Sequence, residues 1–399
     1  MTETPFRWSQ IAIPAFGPSL LFGISNGAIL PIIALSAIAL GASHAMSGVI
    51  AALIGFGSLV CNIPAAMITS RFGERRSLIG ASAVGVGALA ICILASHPAV
   101  LALGVLLMGM ATSVFYLARQ TFLMEAAPAH MRARVFSTLG GTQRIGMFIG
   151  PFGAAALMHF IGLSGAYVVA IAALAAAGAL SFALPELQPR AEGSGVGAPR
   201  PRMAAIAVAH KRVFMTLGLG VLLIGAMRAS RQVAIPLWAD AIGLSPTITA
   251  VIFGCVSSID MLVFYPAGKI MDHFGRLWVA LPCALTLALS LLALPLTSTI
   301  VPFVLVCLLM GLGNGIGSGI VMTLGADAAP ANGRTEFLGI WRLFADVGTS
   351  AGPFVLAGLT AAISLAAGIA ATGAFGLVSA YIFWRALPHT RKASEAAKP

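Results

Sequence analysis

Apolar residues in this chain run in long stretches separated by short polar breaks. The stretches fall near residues 11–39, 44–70, 77–96, 99–124, 133–160 and 163–184. A second set falls near 212–240, 246–271, 276–296, 300–326, 335–362 and 365–387. About 20 consecutive apolar residues carry a helix across the hydrocarbon core of a bilayer. The stretches lack the every-other-residue alternation of a barrel strand, so helix is the expected spanning form. They predict an all-α membrane protein with twelve transmembrane helices, numbered here spans 1 to 12 in that order. Residues 185–211, rich in Pro, Gly and Arg, read as a flexible linker between an N-terminal six-helix bundle (1–184) and a C-terminal one (212–399).

Composition agrees with a lipid solvent. Of 399 residues, 59% are hydrophobic and 9% charged, against about 25% charged in soluble domains. The five cysteines all lie inside apolar stretches without metal-ligand spacing and read as small buried hydrophobes. Arg7 and Trp8 precede an apolar stretch longer than a signal peptide's, so span 1 is expected to be retained.

The net charge of +11 would suggest nucleic acid in a soluble protein. Its placement argues otherwise. Of 23 Lys and Arg, 18 lie in the N-terminus, the loops after spans 2, 4, 8 and 10, the linker and the tail. The other five lie within spans, and the opposite loops (GASHA, SHPA, GLSG) hold none. This positive-inside asymmetry places both termini in the cytoplasm. The expected setting is a bacterial inner membrane, with the lipid bilayer and no nucleic acid as partner and a monomer as the unit.

The two sets of spans repeat. A shift of 202 residues brings Gly23 onto Gly225, Gly41 onto Gly243 and Pro64-Ala65 onto Pro266-Ala267. It also brings Phe72-Gly73 onto Phe274-Gly275, Leu106-Leu107-Met108-Gly109 onto Leu308-Leu309-Met310-Gly311, and Ala126-Ala127-Pro128 onto Ala328-Ala329-Pro330. Arg132 meets Arg334, and Gly146-x-x-x-Gly150-Pro151-Phe152 meets Gly348-x-x-x-Gly352-Pro353-Phe354. Two parallel six-helix repeats suit alternating access, in which two similar bodies rock about a site.

With these features the chain resembles the major facilitator superfamily along its whole length. The family's loop motif, roughly G-x-x-x-D-R-x-G-R-R, is matched after span 8 by Gly268, Asp272, Gly275 and Arg276, with His273 in place of the first Arg. After span 2, Ala66 and Ser70 replace the Gly and Asp, while Arg71, Gly73, Arg75 and Arg76 remain. The resemblance implies that this loop holds a cytoplasmic gate through charge pairs with neighbouring helix ends. Arg71, Asp272, Arg276 and Arg342 are the gating candidates. Gly146-x-x-x-Gly150-Pro151-x-x-Ala154 is similar to the Gly-Pro motif of the family's proton-coupled antiporters, which adds Gly150, Pro151, Gly352 and Pro353; close packing of small residues is the alternative. Val105 stands where such antiporters carry a basic residue, and span 1 lacks the acid of many multidrug exporters.

Ionisable residues within a membrane span cost roughly 2.5–3.5 kcal/mol each and mark functional candidates. Here they are Arg119, Arg144, Arg228, Arg231, Arg342, Asp260 and Asp346. Helical rise puts Arg144, Asp260, Asp346 and Arg228 near the bilayer centre. Arg119 and Arg342 lie nearer the cytoplasm, where Glu125 and Glu336 are available partners, and Arg231 lies nearer the outside, within reach of the interface. Family architecture sets span 5 beside span 8, which makes Arg144–Asp260 a candidate pair. Arg342 and Asp346, four apart, share a helix face.

Five cations against two acids suit an anionic solute, because guanidinium stays charged and grips carboxylate or phosphate. The substrate-binding candidates are Arg144, Arg228, Asn26, Arg119, Gln143, Tyr116, Asn314 and Trp341, with Gln120 and Gln232 as further polar positions. Protons must then use Asp260 or Asp346, since pairing and burial move a carboxylate's affinity for a proton in opposite directions.

The glycine run from Gly311 to Gly319 in span 10 has no Lys-Ser/Thr after it, so it reads as a packed or gating helix rather than a phosphate loop. The sequence contains no His-Glu metal cluster, nucleophile elbow or Walker motif. No cofactor, metal or catalytic residue is expected, and the chain reads as a transporter rather than an enzyme. The expected function is proton-coupled movement of a small organic anion, with multidrug efflux as the alternative.

Overall fold

The computed structural model describes residues 8–126, 132–184, 203–330 and 333–387. Arg7, the Ala127-Pro128 pair, residues 185–202 of the linker and the tail beyond 387 lie outside them. All described elements are helical. Among the described residues, twelve helices are long and apolar enough to cross a membrane. Spans 1 to 6 run Phe16–Ala39, His44–Phe72, Glu74–Ile93, Pro98–Ala126, Val135–Ile161 and Ser164–Ser181. Spans 7 to 12 run Lys211–Ala241, Pro246–Phe274, Leu277–Leu296, Ile300–Ala328, Glu336–Ala362 and Leu365–Ala386.

The chain divides into two compact units. One gathers residues 1–41, 53–192 and 246–254; the other gathers 42–52, 193–245 and 255–399. The first turns of span 2 therefore belong with the second unit, and the first turns of span 8 with the first. Within the first unit, span 1 packs on spans 5 and 6, and span 3 on spans 4 and 6. Within the second, span 7 packs on spans 11 and 12, and span 9 on spans 10 and 12. The two arrangements correspond under the 202-residue shift.

Glycine makes the closest of these contacts. A Cβ placed on Gly146 would stand 2.7 Å from Ile24 N and 2.8 Å from Gly23 Cα; one on Gly150 would stand 2.8 Å from Ala28 N. Spans 1 and 5 thus touch backbone to backbone. Gly348 meets Leu222 and Gly352 meets Ala226 in the same way between spans 7 and 11. Small residues at this spacing let helices gain dispersion where lipid offers no hydrophobic driving force. The turns repeat as well: Gly41 and Gly243 have φ of 87° and 79°, and Gly73 and Gly275 have 79° and 97°. An L side chain would be strained in that left-handed region.

Three details differ from the sequence reading. The last part of the linker is structured: Met203–Ala209 is helical, with Ile206 buried and the His210 ring edge-on to Phe337 at 5.4 Å. These apolar side chains have span 11 to pack on, which outweighs the polar character of the segment. Span 7 enters through a π turn, Phe214–Gly218. Span 10 is broken, ending its first helix at Ile316 and restarting at Ile320, where three glycines in five residues weaken the helix. Span 12 is capped by Ser364, whose hydroxyl accepts the Ala367 N–H at 3.2 Å.

Candidate functional site

In the first unit, spans 1, 4 and 5 bring together three of the predicted binding residues. Arg119 is buried, 6% exposed. Its Nη2 donates to Gln143 Oε1 at 3.3 Å, and its guanidinium carbon lies 4.8 Å from the centre of the Tyr116 ring. Gln143 Nε2 in turn donates to the Tyr116 hydroxyl. Tyr116 is braced from span 1 by Phe22, edge-on at 5.3 Å, and Phe22 stacks on Phe115 at 4.2 Å. Asn26, four residues beyond Phe22 on the same helix face, is buried. Tyr116, Gln120 and Gln143 are half-buried. The expected alternative partner of Arg119, Glu125, is not its partner: among the described residues no carboxylate pairs with this guanidinium, and Arg119 Nε and Nη1 have no hydrogen-bond partner.

The second unit holds the other polar groups. Asn314 Nδ2 donates to Asp260 Oδ2 at 2.6 Å, joining spans 10 and 8. Arg228 Nη2 lies 3.8 Å from Cys283 Sγ, beside the break in span 10: a Cβ on Gly317 would stand 2.5 Å from that same Nη2. Both Arg228 and Asp260 are close enough to act electrostatically on Cys283. On span 11, Arg342 Nε and Asp346 Oδ2 are 3.7 Å apart, with side chains 59% and 36% exposed. Arg342 thus pairs within its own helix rather than with Glu336. An exposed guanidinium in a membrane span belongs against water, not lipid.

Two predicted positions fall elsewhere. Trp341 is buried and donates its indole N–H to Val321 O at 2.8 Å. It stacks near Phe337 at 6.2 Å, so it braces span 11 on span 10 and joins neither polar group. Arg231 is buried rather than reaching an interface. Arg144 is half-buried on span 5, one residue beyond Gln143. The Gly150-Pro151 and Gly352-Pro353 motifs lie on the packing seams described above.

The loop motif behaves differently in the two repeats. After span 8, Arg276 Nε donates to Asp327 Oδ2 at 2.8 Å and Nη1 to Met271 O at 3.3 Å. The hydrogen bond to Asp327 is the main cause that holds the Arg276 guanidinium above its ordinary value; Asp272 adds a smaller attraction. The clasp is therefore between Arg276 and the end of span 10. Shifted by 202, Arg276 and Asp327 become Glu74 and Glu125, two like charges in place of an opposite pair. After span 2, Ser70 Oγ donates to Met67 O at 3.0 Å, and Arg71 lies over the Phe72 ring at 5.6 Å.

Sequence reasoning missed Asp327, although the 202-residue shift of the loop motif leads from Glu125 to it. It also missed His44–Asp240: His44 Nε2 and Asp240 Oδ2 are 3.0 Å apart within the second unit. Gly48 packs there against Ala357 and Leu237. Residues 196 positions apart leave no local signal.

A fold of twelve apolar helices in two repeated bundles, with charges held inside the spans, defines a multi-pass membrane transporter. The chain belongs to the Major Facilitator Superfamily, whose sequence profile matches residues 19–353 and 217–399. It is similar to the arabinose-proton symporter of Bacillus subtilis (strain 168), 29% identical over 138 residues, which covers 35% of this chain and 30% of that protein. It is also similar to the multidrug resistance protein MdtH of Klebsiella pneumoniae (strain 342), 25% identical over 284 residues, 69% of this chain and 68% of that one. A mutant of the nucleoside transporter NupG shares the fold, with a TM-score of 0.75 at 12% identity, over 95% of this chain and all of that one. The protein is a secondary transporter.

Proposed function

We propose that the protein moves a small organic anion across the cytoplasmic membrane of a bacterium by alternating access, coupled to protons. The observation that carries this reading is the charge balance deep within the spans, away from their ends, where five arginines stand against Asp260 and Asp346. An arginine stays protonated at any physiological pH, so the surplus is permanent and favours a negative solute. The two carboxylates are the groups that can exchange a proton. Asp346 has Arg342 beside it and is partly exposed, and Asp260 is held by Asn314. Proton coupling is a property of the arabinose-proton symporter named above and comes to this chain by that similarity. Both termini are assigned to the cytoplasm on the charge asymmetry of the loops. Residues 1–184 and 212–399 are assigned as the two moving halves of a monomer, with 185–211 joining them.

The test is uptake of labelled organic anions into proteoliposomes under an imposed pH gradient. Anion flux should follow the gradient, and Asp260→Asn and Asp346→Asn should separate flux from pH. Full proton-driven flux in both variants overturns the coupling assignment. The similarity to a multidrug resistance protein over two thirds of the chain supports a second reading, efflux of hydrophobic or cationic compounds. Gradient-driven transport of a lipophilic cation in preference to every anion would establish that reading instead.

A further inference from the structure

We propose that the Arg119 guanidinium takes the carboxylate of a small organic acid, with Gln143 and Tyr116 holding the guanidinium in place. This rests on the anion reading above and says which of the five arginines binds the charge. Arg342 is paired with Asp346. Arg228 has one nitrogen against a thiol and Gly317. Arg144 and Arg231 are engaged by other groups. Arg119 is 6% exposed, no described carboxylate pairs with it, and two of its three nitrogens lack a hydrogen-bond partner.

A buried cation without a counter-charge is expensive, and the expense is relieved when an anion arrives. Gln143 and the Tyr116 ring fix the guanidinium but neutralise none of its charge. One unbalanced positive charge calls for one negative charge, and a carboxylate supplies it with oxygens that accept the unused N–H groups. The half-buried Tyr116 ring beside it gives the carbon body of an acid an apolar neighbour, which an inorganic ion would not use.

The full-length protein, purified in detergent, would be titrated calorimetrically with acetate, benzoate and succinate, and with glucose and a quaternary ammonium ion as comparisons. Three forms are compared: wild type, Arg119→Lys and Gln143→Glu. The last places a carboxylate where Gln143 Oε1 already lies 3.3 Å from Arg119, and the Tyr116 hydroxyl can donate to it. It should therefore fold at least as stably as wild type while competing with the ligand. We expect carboxylate binding to weaken by at least about tenfold in Gln143→Glu, and to weaken in Arg119→Lys, which keeps the charge but loses the planar donor set. Wild-type affinity in both variants overturns the assignment to Arg119 while leaving the anion reading intact. Wild-type protein that binds no carboxylate overturns the anion reading, and the assignment with it.

Discussion

Replacing Gly146 with alanine tests how the bundles are held together. The added Cβ would stand 2.7 Å from Ile24 N and 2.8 Å from Gly23 Cα, where carbon atoms make their best contacts at about 3.5–4.0 Å. Span 5 must retreat from span 1 by roughly 1 Å. The retreat is felt along the whole seam, because Gly27 and Gly150 make the same kind of approach one turn further on. Overpacking of this kind costs about 1–3 kcal/mol. The repeat supplies a second copy of the experiment, since Gly348 meets Leu222 between spans 7 and 11. Gly80 supplies a control: it is helical and exposed, and a Cβ there meets nothing within 4 Å. Unfolding in mixed micelles of increasing denaturing-detergent content gives the comparison. Gly146→Ala and Gly348→Ala should unfold earlier than wild type, while Gly80→Ala, which gains helix propensity without a clash, should unfold no earlier than wild type and up to about 1 kcal/mol later. If all three unfold together, the glycine seams are not what sets helix separation.

Three further outcomes follow from the structure. Arg276→Gln should lower stability by only about 0.2–1 kcal/mol, because both partners of the Arg276–Asp327 pair are substantially exposed, and exchanging the two residues should restore it in a double-mutant cycle. A base whose value is raised on folding adds stability below its unfolded value and loses it as pH rises through the folded one. For Arg276 both lie far above physiological pH, so its contribution should stay flat from about pH 5 to 9 in unfolding titrations. Trp341→Phe keeps the ring but leaves Val321 O without its donor, so thermal unfolding should show a loss of about 1–3 kcal/mol; an unchanged midpoint would refute the bracing role. Gly317→Ala should displace Arg228 and press on Cys283, slowing transport in proteoliposomes, with partial recovery in combination with Cys283→Ala; equal rates in all three proteins would show that the break in span 10 tolerates a side chain.

Much of the fold was legible because lipid is an undemanding reader. A helix that crosses a bilayer must be long, apolar and internally hydrogen-bonded, so each span shows in the chain as a run of the right length. The break in span 10 is foreshadowed by its glycines, but small residues serve a close contact and a kink equally well. Gly146 and Gly150 turn out to serve contact; Gly317 lies at an interruption. The helix Met203–Ala209 was illegible for a related reason. Seven residues beside a Pro- and Arg-rich stretch carry too little periodicity, and it is Phe337 and its neighbours on span 11 that give Ile206 and His210 something to pack on.

The candidate site divides in the same way. Composition and charge placement alone determined that the chain is a membrane protein of twelve spans, built as a repeat, with a set of arginines and two acids committed to the interior of those spans. Which of these charges are compensated is a matter of distances between residues far apart in sequence. Arg119 could have met Glu125 and instead meets Gln143 and Tyr116. Arg342 could have met Glu336 and meets Asp346. Arg276 finds Asp327 across 51 residues, and Trp341, read as a binding residue, is turned inward onto Val321. Insertion into lipid selects residue types one span at a time, so it is written locally. Pairing depends on how helices rotate against one another, and backbone contacts such as Gly23 on Gly146 set that rotation.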